Sequence, residues 1–168
     1  SDLRKAGITS SIIIMNPEMS AFKTMFDYKL EPEVYSFHLL EALIKKAEKE
    51  GITNYPIHIK LDTGMHRLGF NAEDMPELIR ILKSQTALIP RSVFSHLVGS
   101  DNERFDAFTR RQIELFEKAS AELQAAFPHK VLCHICNSAG IERFPGAQFD
   151  MVRLGIGLYG INPVDNSI

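Results

Sequence analysis

What this chain has little of narrows its class before any motif is read. Its 168 residues include two cysteines, too few for a disulfide framework, and Cys133 and Cys136 form one C-x-x-C with no second pair, a weak zinc signal. They fall in Lys130–Cys136, a strand-like stretch in which a spacing of three sends side chains to opposite faces, so both are expected to be reduced structural thiols. Positive charge is not in excess: 19 Lys+Arg against 21 Asp+Glu give a formal charge of -2, which argues against nucleic acid or an anionic membrane as partner. Long apolar runs are missing too. Ile12–Met15 falls far short of the roughly 20 residues of a membrane helix, and no charged-then-apolar leader opens the sequence, so a soluble, cytoplasmic protein is expected. No low-complexity segment, linker or like-charge block divides the chain, which reads as one domain, 1–168. None of the six histidines forms an H-x-x-x-H pair or clusters with carboxylates, and no Ser/His/Asp spacing is visible. No metal site is expected.

What is present is an alternation of short apolar strands and amphipathic helices. Ile12–Met15 reads as a strand, and Asn16, Pro17 and Glu18 supply an N-cap, a first-turn proline and an acidic first turn for a helix to about Tyr28. Val34–Ser36 reads as a second strand, and Phe37–Glu50 as a helix with Leu39, Leu40, Leu43, Ile44 and Ala47 at helical spacing, ended by Gly51. Pro56–Leu61 alternates strictly, with Ile57, Ile59 and Leu61 on one face and His58, Lys60 and Asp62 on the other. Glu73–Gln85 is the next helix, Ser92–His96 a strand, and Arg104–Phe127 a long helix whose face is traced by Phe105, Phe108, Gln112, Leu115, Ala119 and Leu123. Val131–Ile135 and Met151–Leu154 complete six strand candidates. At the other end, Leu3–Gly7 reads as the last turn and C-cap of a helix whose beginning is absent.

Repeated strand-helix units imply a parallel sheet covered by helices, doubly wound or closed into a barrel. Central strands of a doubly wound sheet are apolar on both faces, whereas a barrel's inner face can turn polar near the C-terminal mouth where active sites lie. The polar face of His58 and Lys60 therefore favours an α/β parallel barrel of TIM type, incomplete, with about six of its eight strands. Lys60, Arg67, His96, Asn137, Ser138 and Arg153 then collect at the mouth. Such a mouth suits a phosphorylated, aromatic or carboxylate ligand. Asn137 and Ser138 open a helical turn, a place for anion binding or a bare N-cap, and Arg153, Gly155 and Gly157 offer a second phosphate approach.

His58–Gly69, Phe94–Leu97, His134–Ala139 with Arg143–Pro145, and Phe149–Gly160 resemble, in order, the alanine racemases, pyridoxal-phosphate enzymes with an N-terminal α/β barrel and a C-terminal β domain. The resemblance implies that Lys60, often carbamylated in the family, positions Arg67, and that Arg67 bonds the cofactor's phenolic oxygen and helps hold the substrate carboxylate. His96 would pack against the pyridine ring. Asn137, Ser138 and the backbone of Gly155 and Ile156 would bind the phosphate, Arg153 would donate to the pyridine nitrogen, and His134 would orient Arg153. An arginine there leaves the ring nitrogen unprotonated and the ring a weaker electron sink, which suits racemisation.

Two departures stand beside these matches. The family's Schiff-base lysine lies in an early strand with a characteristic run that has no counterpart here, and no C-terminal β domain supplies the catalytic tyrosine. The chain is therefore expected to be an inactive part of an alanine racemase that makes D-alanine for peptidoglycan and acts as a homodimer on a small amino-acid substrate. Open barrel edges lead us to expect self-association. The alternatives are a non-catalytic pyridoxal-phosphate-binding protein and another barrel-type D-amino-acid enzyme.

Overall fold

The computed structural model describes residues 2–165, so Ser1 and residues 166–168 of the expected domain lie outside it. Among the described residues five strands, β1 (Ile13–Ile14), β2 (Glu31–Val34), β3 (Tyr55–Lys60), β4 (Leu88–Phe94) and β5 (Leu132–His134), form one sheet in the order in which they occur along the chain. Every pairing is parallel. A doubly wound sheet reverses its strand order at a switch point. No reversal occurs among the described strands, and with helices between them the fold is an incomplete α/β barrel.

The helices are α1 (Asp2–Lys5), α2 (Phe22–Asp27), α3 (Phe37–Lys49), α4 (Met75–Lys83), α5 (Asp106–Ala126) and α6 (Ser138–Arg143). Leu39, Leu40, Leu43 and Ala47 of α3, Met75, Leu78 and Leu82 of α4, and Phe116, Ala119 and Leu123 of α5 are buried in one core with Val34, Ile57, Ile59 and Val93. These strand residues form the sheet's apolar outer face. The alternate residues Glu33, His58, Lys60, Ser92, Phe94 and His134 are buried on the inner face, as the period of two in β3 requires. One bulge sets this phase in β4: Pro90 pairs with Ile57 but Ser92 with His58, leaving Arg91 as the extra residue.

Several elements differ from the sequence expectations. Asn16 caps no helix; it takes φ +47, its N–H donates to Glu33, and a 3-10 turn from Met19 precedes α2. Ser36 is not strand but the N-cap of α3, accepting from the Leu39 N–H, so β2 lies earlier, at Glu31–Val34. The buried stripe of α5 is Thr109, Gln112, Phe116, Ala119, Ser120 and Leu123, whereas Phe105 and Phe108 are exposed. Gln112 decides that phase: its side chain accepts from the Val98 N–H at 3.1 Å and donates to the His96 carbonyl at 3.0 Å. The sixth strand candidate, Met151–Leu154, forms no strand among the described residues. Its backbone bonds to the β5 segment come from the Asp150 and Arg153 N–H groups, donating to the Cys133 and Cys136 carbonyls.

Candidate active site

The inner face and the loops beyond its strand ends carry the polar residues singled out in the sequence. At the end of β3, Lys60 is 5% exposed. Its Nζ stands 3.0 Å from Glu33 Oε1, an ion pair poorly aligned for a hydrogen bond, and 5.7 Å from the Phe94 ring centroid. The next loop folds back on its own strand, with the Asp62 N–H donating to Phe70 O at 2.8 Å and the Phe70 N–H to Lys60 O at 2.9 Å. Asp62 Oδ1 accepts from the N–H groups of Gly64 and His66, at 2.9 and 3.0 Å. Gly69 closes this loop at φ +133, where a Cβ would lie 2.5 Å from Asp62 N. Arg67 stands at the exposed tip, without a hydrogen bond or ion pair among the described residues; the charged group beside Lys60 is Glu33.

Arg153 is held by four hydrogen bonds. Its Nη1 donates to His134 Nδ1 at 2.5 Å and to His134 O at 3.2 Å, while Nη2 donates to Ser95 O at 2.5 Å and Ile135 O at 3.1 Å. Four of its five N–H donors are thereby engaged, leaving only Nε–H. Burial lowers its pKa to about 10, still protonated at neutral pH. Its guanidinium lies 5.1 Å from the Phe94 centroid, and His134 stacks on Phe94 at 4.9 Å and 4°. Burial and the Arg153 charge push His134 down to about 3, so its imidazole is neutral. His96 is driven to about 4 by burial and by the charges of Arg153, Lys60 and Arg67.

A recess of about 420 Å³ opens beside these groups, lined by His96, Ser100, Asn137, Ser138, Gly155 and Ile156 among others. Asn137 is the N-cap of α6: its Oδ1 accepts from the Gly140 N–H at 2.9 Å and from Ser100 Oγ at 2.8 Å, and its Nδ2 donates to Leu97 O at 3.1 Å. Ser138 Oγ accepts from the N–H groups of Gly155 and Gly157, at 2.9 and 3.1 Å. Gly155 is backed only by that hydroxyl, 3.7 Å from where a Cβ would sit. Backbone donors thus converge on one small oxygen, a cradle an oxyanion can share. The two cysteines are free thiols whose pKa values are raised by burial.

Sequence reasoning did not single out Glu31, Glu33, Arg91 or Ser92. Glu31 accepts from Arg91 Nη1 at 2.9 Å, and its other oxygen lies 2.8 Å from His58 Nε2. Ser92 Oγ sits between His58 Nδ1, at 2.6 Å, and His134 Nε2, at 3.1 Å. A usable signal was present, because Glu31, Glu33 and Val34 repeat in β2 the charged and apolar alternation of His58, Ile59 and Lys60 in β3.

Comparison with known proteins places this geometry in context. Residues 1–163 match the family model described as "Alanine racemase, N-terminal domain". Alanine racemase 1 of Oceanobacillus iheyensis is 35% identical over 163 residues, covering 96% of this chain and 43% of that protein. Alanine racemase of Nitratidesulfovibrio vulgaris is 40% identical over 133 residues, 79% of this chain and 35% of its own. Among solved structures, the alanine racemase of Clostridium difficile in complex with cycloserine superposes with a TM-score of 0.89 at 29% identity, over 99% of this chain and 46% of that one. A Bartonella henselae alanine racemase with covalently bound pyridoxal phosphate shares the fold, with a TM-score of 0.78 at 24% identity, over 96% of this chain and 46% of that one. The chain spans less than half the length of these relatives. Among the described residues no helix is long and apolar enough to cross a membrane.

Proposed function

The chain belongs to the alanine racemase N-terminal domain family, and from that membership we propose that it forms the cofactor side of a site interconverting L- and D-alanine with pyridoxal phosphate. The observation that carries the reading is the guanidinium of Arg153. It is protonated, fixed on both Nη atoms, and has Nε–H as its one remaining donor. A donor that does not give up its proton suits an unprotonated pyridine nitrogen. When bound, pyridoxal phosphate supplies the electron withdrawal that acidifies the Cα–H of an amino acid.

The chain's own residues do the rest of the work assigned here. Ser138 with the Gly155 backbone holds the phosphate, joined by Asn137 and the backbone of Ile156. Neutral His96 packs against the ring without adding a cation. His134 orients Arg153. Arg67 at its loop tip receives the substrate carboxylate, and Lys60 with Glu33 fixes the charge below it. The chain alone carries no residue that we assign as the Schiff-base lysine or as the second base, so we propose that it does not racemise alanine by itself. We also propose that the working enzyme is a cytoplasmic homodimer supplying D-alanine for peptidoglycan.

Titrating the purified chain with pyridoxal phosphate and following cofactor absorbance tests the pocket. Arg153→Ala and Ser138→Ala are each expected to weaken binding at least tenfold. Wild-type affinity in both variants refutes the assignment, and D-alanine produced by the chain alone refutes the proposed inactivity.

A further inference from the structure

The hydrogen bonds that begin at Arg153 do not stop at His134. They continue through Ser92 Oγ to His58 and end on Glu31, crossing β5, β4, β3 and β2 in turn, with steps of 2.5, 3.1, 2.6 and 2.8 Å. We propose that Ser92, His58 and Glu31 are positioning residues for Arg153, forming with His134 a one-way hydrogen-bond chain that locks both imidazoles as Nε2–H tautomers.

The direction follows from the two ends, each of which has a single option. A guanidinium only donates, so His134 Nδ1 must accept, and the proton of a neutral ring lies on Nε2, pointing at Ser92. A carboxylate only accepts, so His58 Nε2 carries the proton toward Glu31, and His58 Nδ1 must accept. Ser92 has one proton. Receiving from His134, it gives that proton to His58, and the two derivations meet without conflict. With both rings neutral, any other arrangement sets two donors or two acceptors face to face, which is costly in this buried row, where Ser92, His58 and His134 are each at most 3% exposed. Both histidines are disfavoured as cations, chiefly by burial, which fits a row of neutral rings between one fixed cation and one fixed anion. Arg91, on the bulge, closes the far end against Glu31 at 2.9 Å.

This chain matters because an Nδ1–H tautomer of His134 would face Arg153 donor to donor, and the guanidinium would have to leave the position that directs Nε–H. That purpose rests on the reading of Arg153 as the cofactor's donor, whereas the tautomers do not depend on it. Nitrogen-15 NMR of the histidine side chains in the 168-residue chain, without cofactor at neutral pH, reads them directly. His58 and His134 should each show one protonated Nε2 and one unprotonated Nδ1. Ser92→Ala should leave both tautomers in place, each being set at its own end, but shift His134 Nε2 and His58 Nδ1, the two nitrogens that lose their partner, and Ser92→Thr, which restores the hydroxyl, should recover the wild-type shifts. Either ring found as Nδ1–H or averaged in the wild type, a result independent of how any variant folds, overturns the proposal. If the tautomers are as stated but pyridoxal phosphate does not bind, the chain stands and the reading of Arg153 falls. If the cofactor binds and the tautomers are mixed, the positioning chain falls alone.

Discussion

Replacing Glu33 by glutamine keeps one carbonyl oxygen, for the Asn16 N–H, but removes the negative charge and turns an amide NH2 toward Lys60. Glu33 is 1% exposed and Lys60 5%, and the cations of Lys60 and Arg153 both lie over the Phe94 ring, 5.7 and 5.1 Å from its centroid. Among the described residues Lys60 has no ion pair besides Glu33. Breaking a buried ion pair from one side costs about 3–5 kcal/mol, so a loss of at least about 3 kcal/mol is expected. With a urea slope of about 2 kcal/mol per molar, the unfolding midpoint should fall by roughly 1.5 M. The paired substitution Glu33→Leu with Lys60→Met removes both charges, and it should be less damaging than the sum of its parts, with a coupling energy of about 2 kcal/mol or more. The assay is equilibrium urea unfolding by circular dichroism of Glu33→Gln and of the four chains of the cycle, wild type, Glu33→Leu, Lys60→Met and the double variant. A midpoint in Glu33→Gln unchanged from wild type, or strict additivity in the double variant, refutes the view that this ion pair holds the inner face together.

Gly69→Ala must place its Cβ 2.5 Å from Asp62 N at φ +133, so a loss of about 3 kcal/mol or more is expected. Gly160→Ala, at φ +79 with nothing within 4 Å, should cost only about 1 kcal/mol; thermal unfolding ranks the two. The folded-state pKa values of His96 and His134, about 4 and about 3, lie below the ordinary value of 6.5, so the unfolded chain binds more protons between them. Their contribution is fully present above about pH 6.5 and is lost as pH falls through about 4 and then about 3. Urea midpoints should therefore drop from pH 7 to pH 5, and His134→Asn should flatten that slope. A carbamate on Lys60 would set a second anion against Glu33, so carbon-13 bicarbonate should give no carbamate signal in the wild type and a signal in Glu33→Gln. A wild-type carbamate counts against the ion pair as drawn.

The barrel was legible in the sequence because β3 alternates without interruption, and His58 and Lys60 are read off it directly. β2 carries the same alternation, but Pro32 interrupts it and Ser36 mimics a continuation, which hid Glu31 and Glu33. The phase of α5 was obscured because Phe105 and Phe108 outweigh Gln112 in any hydrophobic count, although Gln112 is buried for its hydrogen bonds. No local pattern reveals that Met151–Leu154 lacks a ladder. A strand needs partners along its length, and this segment has two backbone bonds to its neighbour. Arg153 was found by residue type and order. The engagement of all four Nη hydrogens was not, since each acceptor lies on a carbonyl or ring distant in sequence.

The bulge at Arg91 works like an inserted letter in a two-letter code. Upstream of it Pro90 reads with the apolar outer row, and downstream Ser92 and Phe94 read with the polar inner row, although plain alternation would put Pro90 and Ser92 together. Deleting that one residue would leave the frame of β4 intact, Pro90 and Ser92 then alternating as Ile57 and His58 do, whereas pairing Arg91 regularly, without the bulge, would shift everything after it. In that unbulged strand Val93 would turn toward the mouth and Ser92 toward the helices, exchanging solvent-averse and hydrogen-bonding surfaces across the sheet without altering a single letter.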